Sequence, residues 1–114
     1  MKPIEIKKRI YWVGAIDWNV RNFHGHTYTT KRGTTYNAYL ILDDKITLVD
    51  TVYGPFGDEM IDRIKQIIPP EKIDYIIANH VETDHSGALP QILKLCPSVK
   101  VFGTAKCKEG LYRH

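Results

Sequence analysis

The chain has 114 residues, 43% of them hydrophobic, which sets the scale at one small domain with a modest core and leaves no room for two. A formal charge of +3 is spread along the sequence and not gathered into a run, so it bears on solubility and argues against nucleic-acid binding. No apolar run follows the basic residues of "MKPIEIKKRIYWVG" that is long enough for a signal peptide or a membrane span, so the expectation is a cytoplasmic protein. Cys96 and Cys107 show no C-x-x-C or Cys/His finger spacing, and free thiols in a reducing compartment are expected.

In chain order, residues 9–15 ("RIYWVGA") have the β-branched and aromatic content of a strand. Residues 34–42 ("TTYNAYLIL") predict a second strand and 45–51 ("KITLVDT") a third, with residues 43–45 a short polar connection suited to a hairpin. The first two strands are separated by "IDWNVRNFHGHTYTTKRG", a loop whose length points to function and whose aromatic content argues against disorder. From Asp58 to Ile68, Met60, Ile61, Ile64, Ile67 and Ile68 recur at helical spacing. Asp58 stands at the cap or in the first turn, and Pro69 and Pro70 stop the helix. Residues 72–79 read as an apolar strand buried on both faces, 87–97 as a helix with Pro90 in its first turn, and 98–103 as a strand. A further helix starts at Thr104. The expected order is βββαβαβα, an α/β domain whose crossovers place helices against the sheet.

His80, Glu82, Asp84 and His85 crowd the turn between the apolar strand and the next helix. In open α/β sheets ligands bind outside the carboxyl ends of strands, which is where this turn falls. In locally extended chain, positions 80, 82 and 84 project to one side, and Gly87 lets the backbone turn away. Singly, each residue has an ordinary role: a histidine satisfied by one hydrogen bond, or acidic residues and a serine ahead of a helix. Four at this density point to metal. Two imidazoles with two carboxylates form a harder donor set than zinc sites use, favouring iron or manganese. Carboxylates can bridge two metals, and four donors do not fill two coordination spheres, so further ligands must come from elsewhere.

"HVETDH" resembles the H-x-[HE]-x-D-H signature of the metallo-β-lactamase fold, and Glu82 resembles the version found in flavodiiron proteins, also called A-type flavoproteins. "DWNVRNFHGH", "RGTTYNAYLI", "LVDTV" and "NHVETDHSGALP" each resemble the corresponding family segments. The resemblance implies the N-terminal half of an αββα sandwich. It implies His80 and Glu82 on one iron and Asp84 on the other, with His85 on the metal or displaced from it. His24 would stand near the open face of the diiron site as a proton or hydrogen-bond donor, its alternative being a solvated loop histidine; His26 has no counterpart. Asp50 would brace the ligand loop without touching metal, and turn formation is its alternative reading. The family reduces dioxygen to water, nitric oxide to nitrous oxide, or both, with electrons from FMN in a flavodoxin-like domain of the opposite subunit and a rubredoxin-type donor. A hydrolase of the same fold with two zinc ions is the alternative, against which Glu82 stands, as is a catalytically incompetent fragment.

The same resemblance implies that three more ligands, a bridging aspartate among them, lie beyond residue 114, where His114 is no assured match. Residues 1–114 are thus expected to form a partial lactamase-like domain without the flavodoxin-like domain or its FMN site. Half a sandwich exposes one face of its sheet, so association with a second copy or with a complementary C-terminal polypeptide is expected.

Overall fold

The computed structural model describes residues 2–17, 22–23, 28–29, 34–79 and 87–103. Its strands are β1 (Ile4–Lys7), β2 (Ile10–Trp12), β3 (Ala15–Asp17), β4 (Asn22–Phe23), β5 (Tyr28–Thr29), β6 (Thr34–Tyr36), β7 (Tyr39–Ile41), β8 (Thr47–Val49), β9 (Tyr75–Ile77) and β10 (Lys100–Phe102). Helix α1 spans Gly57–Lys65 and α2 spans Leu89–Leu93, with single 3₁₀ turns at Gly54–Phe56 and Pro70–Lys72. A six-stranded sheet runs in the order β1-β2-β7-β8-β9-β10. Its first four strands pair antiparallel. β8, β9 and β10 are parallel, with α1 and α2 in the crossovers. The α/β class and the hairpin across residues 43–45 are as the sequence led one to expect.

Both of the first two predicted strands are cut in the middle. β2 pairs with β7, Val13 N donates to Ala38 O at 2.9 Å, and β3 then pairs with β6 as a separate two-stranded ribbon. This is one long strand pair with a sharp bend. The cause is Gly14: a Cβ there would run into the Tyr36 carbonyl, so only glycine lets the two backbones approach this closely. Trp12 Nε1 donates to Asn37 Oδ1 at 3.0 Å across the bend, and Arg63 Nη1 donates to Gly14 O from α1. Period-2 alternation cannot register such a bend, which splits two of the three predicted opening strands. The described residues also hold strands not predicted, β1 at the sheet edge and the β4–β5 pair inside the predicted loop.

The main sheet has two unlike faces. Registered across it, Leu40, Leu48 and Ile76 are fully buried and share one cluster with Met60, Ile61 and Ile64 of α1 and Leu89 and Ile92 of α2. Each such side chain contributes roughly 2–3 kcal/mol by leaving water. The opposite row, Trp12–Tyr39–Val49–Ile77–Phe102, lies wholly outside that cluster; its Trp12 end is buried, and Phe102 at the other end is 47% exposed. β9 is therefore buried on one face through Ile76 and only half-buried through Tyr75 and Ile77, which corrects the expectation of a strand enclosed on both sides.

Helix α1 carries Asp58 and Glu59 in its first turn and Arg63 and Lys65 in its last, each complementing the helix dipole. It stops three residues short of the predicted end. Ile67 N and Ile68 N both turn back to Ile64 O, because Pro69 forces the chain out of helical backbone. Pro90 sits in the first turn of α2 as anticipated, and α2 itself is shorter than the predicted 87–97 helix. The predicted helix from Thr104 lies outside the described residues. Cys96 is free and buried, and its Sγ donates to Pro70 O at 3.0 Å; Cys107 is outside the described residues.

Candidate metal centre

β8 and β9 lie side by side and parallel, so Asp50 and Asn79 arrive together at their carboxyl ends. Asp50 has φ 60° and is 8% exposed. Left-handed backbone costs a non-glycine residue about 1 kcal/mol, and such strain persists only where surrounding contacts fix it. Those contacts are present. Asp50 N donates to Ile77 O at 2.8 Å, Asn79 N donates to Asp50 Oδ1 at 2.8 Å, and Asn79 Nδ2 donates to Asp50 Oδ2 at 3.3 Å. The turned backbone thus aims a buried carboxylate across to the neighbouring strand, at the residue immediately before His80. Thr51 beside it is 1% exposed.

The described residues that follow position 86 are tied to the same segment. Ala88 N donates to Val52 O at 2.9 Å, and Gln91 Nε2 of α2 donates to Gly54 O at 2.9 Å. Gly57 makes room for that amide, since a Cβ there would collide with the Gln91 side chain.

His24, His80, Glu82, Asp84 and His85 all lie outside the described residues, as does His26. Among the described residues, no three or more His, Cys, Asp or Glu side chains come together in a way that would hold a metal. Of the candidate site residues, Asp50 alone is described. The sequence reading overlooked Asn79 and Gln91; Asn79 carried a signal, being the polar residue that closes an apolar strand next to a donor-rich turn. By donor chemistry the sequence His80, Glu82, Asp84, His85 fits iron, with imidazole and carboxylate in equal number and no thiolate. A cleft of about 530 Å³, lined by Lys2, Pro3, Tyr11, Leu42, Gln66 and Ile67, opens near the end of β7. Because β7 runs antiparallel to β8, that is the end of the sheet opposite Asp50 and Asn79.

A mixed sheet whose parallel strands β8 and β9 end on a buried aspartate and its asparagine partner, just before a stretch of sequence rich in imidazole and carboxylate, points to the metallo-β-lactamase-like class. Residues 34–114 match the family described as ODP family beta lactamase, and the chain belongs to it. A nitric oxide reductase of Moorella thermoacetica is 55% identical over 113 residues, which cover 99% of this chain and 28% of that protein. The structure of rubredoxin oxygen:oxidoreductase from Desulfovibrio gigas superposes with TM-score 0.93 at 42% identity, over 99% of this chain and 28% of that one. The flavodiiron protein of Giardia intestinalis gives TM-score 0.91 at 38% identity, over 99% of this chain and 27% of that one. The kinship with flavodiiron proteins therefore holds, for the N-terminal part of their lactamase-like domain. The chain spans little more than a quarter of the length of these relatives.

Proposed function

We propose that this chain is the N-terminal part of a flavodiiron oxidoreductase that reduces dioxygen to water, nitric oxide to nitrous oxide, or both, at a non-haem diiron site fed by FMN. The observation that carries the reading is the pairing of Asp50 with Asn79 at the strand ends, directly ahead of the four-donor turn. The names of the relatives, a nitric oxide reductase and a rubredoxin oxygen:oxidoreductase, support it.

His80 and Glu82 would hold one iron and Asp84 the other, with His85 on the metal or displaced from it. Bound iron supplies one-electron redox steps and open positions for diatomic molecules. The remaining work would belong to side chains: Asp50 would brace the ligand segment, and His24 would hold a proton or hydrogen bond for the oxygen species formed as the substrate is reduced. Four donors do not complete two iron spheres, and the rest come from other polypeptide. FMN and a rubredoxin-type electron donor belong to the larger assembly, and residues 1–114 supply a partial lactamase-like domain to it. The half-exposed row through Tyr39, Val49, Ile77 and Phe102 is the face on which a second copy or a complementary polypeptide docks. The proposed place of action is the cytoplasm. No helix among the described residues is long and apolar enough to cross a membrane.

Metal analysis of the chain purified after growth with iron, together with its mass in solution, tests the reading. Iron retained by an oligomer is the expected result. Zinc held in preference to iron would replace this reading with the hydrolase. A monomer at high concentration that melts cooperatively and holds no metal would confine the chain to a structural part of the larger protein.

A further inference from the structure

Residues 80–86 carry the four donors, and both ends of that stretch are attached to the same short segment. On the near side, the Asp50 carboxylate accepts from the backbone and side chain of Asn79 at 2.8 and 3.3 Å. On the far side, Val52 O accepts from Ala88 N at 2.9 Å, and Gly54 O accepts from Gln91 Nε2 at 2.9 Å. Gly54 also lies in ordinary van der Waals contact with the Gly87 backbone, its Cβ position standing 3.5 Å from Gly87 O. Three alternate positions, 50, 52 and 54, thus each hold one part of the frame around the donor turn.

We propose that residues 50–54 form a clamp that fixes the separation of the two ends of the donor turn before metal binds, with Asn79 and Gln91 as its positioning residues. The inference rests on the reading of His80, Glu82, Asp84 and His85 as metal ligands. A turn whose ends are already fixed has less chain entropy to lose when four side chains converge on an ion. Groups that orient ligands without touching the metal typically alter affinity by about 10–100-fold when removed. Asn79 acts at the near end, where its amide keeps the chain from swinging away from β8. Gln91 acts at the far end, by seating α2 on the 54–57 turn. Neither touches metal.

The test has two arms, both on the 114-residue chain. In the first, amide hydrogen exchange is followed by NMR without metal, in the unaltered chain and in Asn79→Ala and Gln91→Met. Asn79 and Ala88 amides are expected to be protected in the unaltered chain. Gln91→Met is expected to speed exchange at Ala88 about tenfold, and Asn79→Ala to do so at position 79, with Ile76 in β9 unmoved in both. Open-chain exchange at Asn79 and Ala88 in the unaltered chain, or an equal rise at Ile76, overturns the clamp. In the second arm, Co(II) is titrated as the probe and its visible absorption recorded. The clamp predicts affinity about tenfold weaker or more in each variant, with an altered spectrum, while melting temperatures stay close to that of the unaltered chain. Unchanged affinity and spectrum in both variants overturn the positioning role and leave the metal reading intact. An unaltered chain that binds no Co(II) overturns the metal reading for this chain, and the exchange arm then decides the clamp by itself.

Discussion

Arg63 is the buried charge that ties α1 to the bend at Gly14, and replacing it with methionine tests what that charge contributes in sum. The residue is 5% exposed, donates from Nη1 to the buried Gly14 carbonyl, and lies with its guanidinium 5.3 Å from the centre of the Trp12 ring. Its ion pair with Glu59, at 3.4 Å, is worth little because the Glu59 side chain is 50% exposed and screened by water. A charged donor to a buried carbonyl contributes about 1.5–3 kcal/mol, and the stacked cation adds about 1 kcal/mol. Against these stands Nε, buried and without a partner among the described residues, whose lost hydration costs about 1–3 kcal/mol. Arg63→Met fills similar volume and removes all three at once. The expected net loss is about 1 kcal/mol, which for a chain this size lowers the melting temperature by about 4 °C. Glu59→Ala is expected to cost less than about 0.5 kcal/mol. Thermal and urea unfolding followed by circular dichroism give both values. A methionine variant as stable as the unaltered chain, or a Glu59→Ala loss equal to it, would refute the assignment of the stabilisation to the Gly14 and Trp12 contacts.

Gly14→Ala is expected to destabilise by more than about 3 kcal/mol, since its Cβ meets the Tyr36 carbonyl and neither backbone has room to retreat; loss of soluble folded protein on expression is the simplest readout. At Asp50, replacement by glycine is expected to cost about 1 kcal/mol less than replacement by alanine, because glycine accepts φ 60° without strain while both lose the bonds to Asn79; equal losses would mean the backbone conformation carries no cost. The Cys96 thiol is pushed up from 9.0 to about 11, first by burial and then by the negative charge of Glu71, so the folded chain holds that proton more tightly than the unfolded one. Its contribution is fully present below pH 9 and is lost as the pH rises toward 11. Iodoacetamide at pH 8 is expected to leave Cys96 unmodified in the folded chain and to alkylate it in urea, by peptide mapping.

The sequence by itself determined the α/β class, the helix carrying Met60, Ile61 and Ile64, the hairpin at residues 43–45 and the family, because each is written in local periodicity, turn chemistry or a compact motif. Pro90 and Pro69 likewise mark boundaries through backbone geometry that any reader of the chain can apply. The proposed metal donors were legible for the same reason, being clustered within six positions. Only the tertiary structure decided the rest. The bend at Gly14 exists because a carbonyl 22 residues later occupies the place of a side chain, and no local pattern encodes that neighbour. Ile76 and Ile77 look alike in the sequence, yet one is enclosed by two helices and the other sits on the half-covered face, since burial is set by what packs on each side of the sheet. Asp50 could have been an ordinary turn residue. Its bonds to Asn79, 29 positions away, arise because parallel pairing of β8 and β9 brings two strand ends together, and hydrogen bonding across that distance is a property of the fold and not of any stretch of chain.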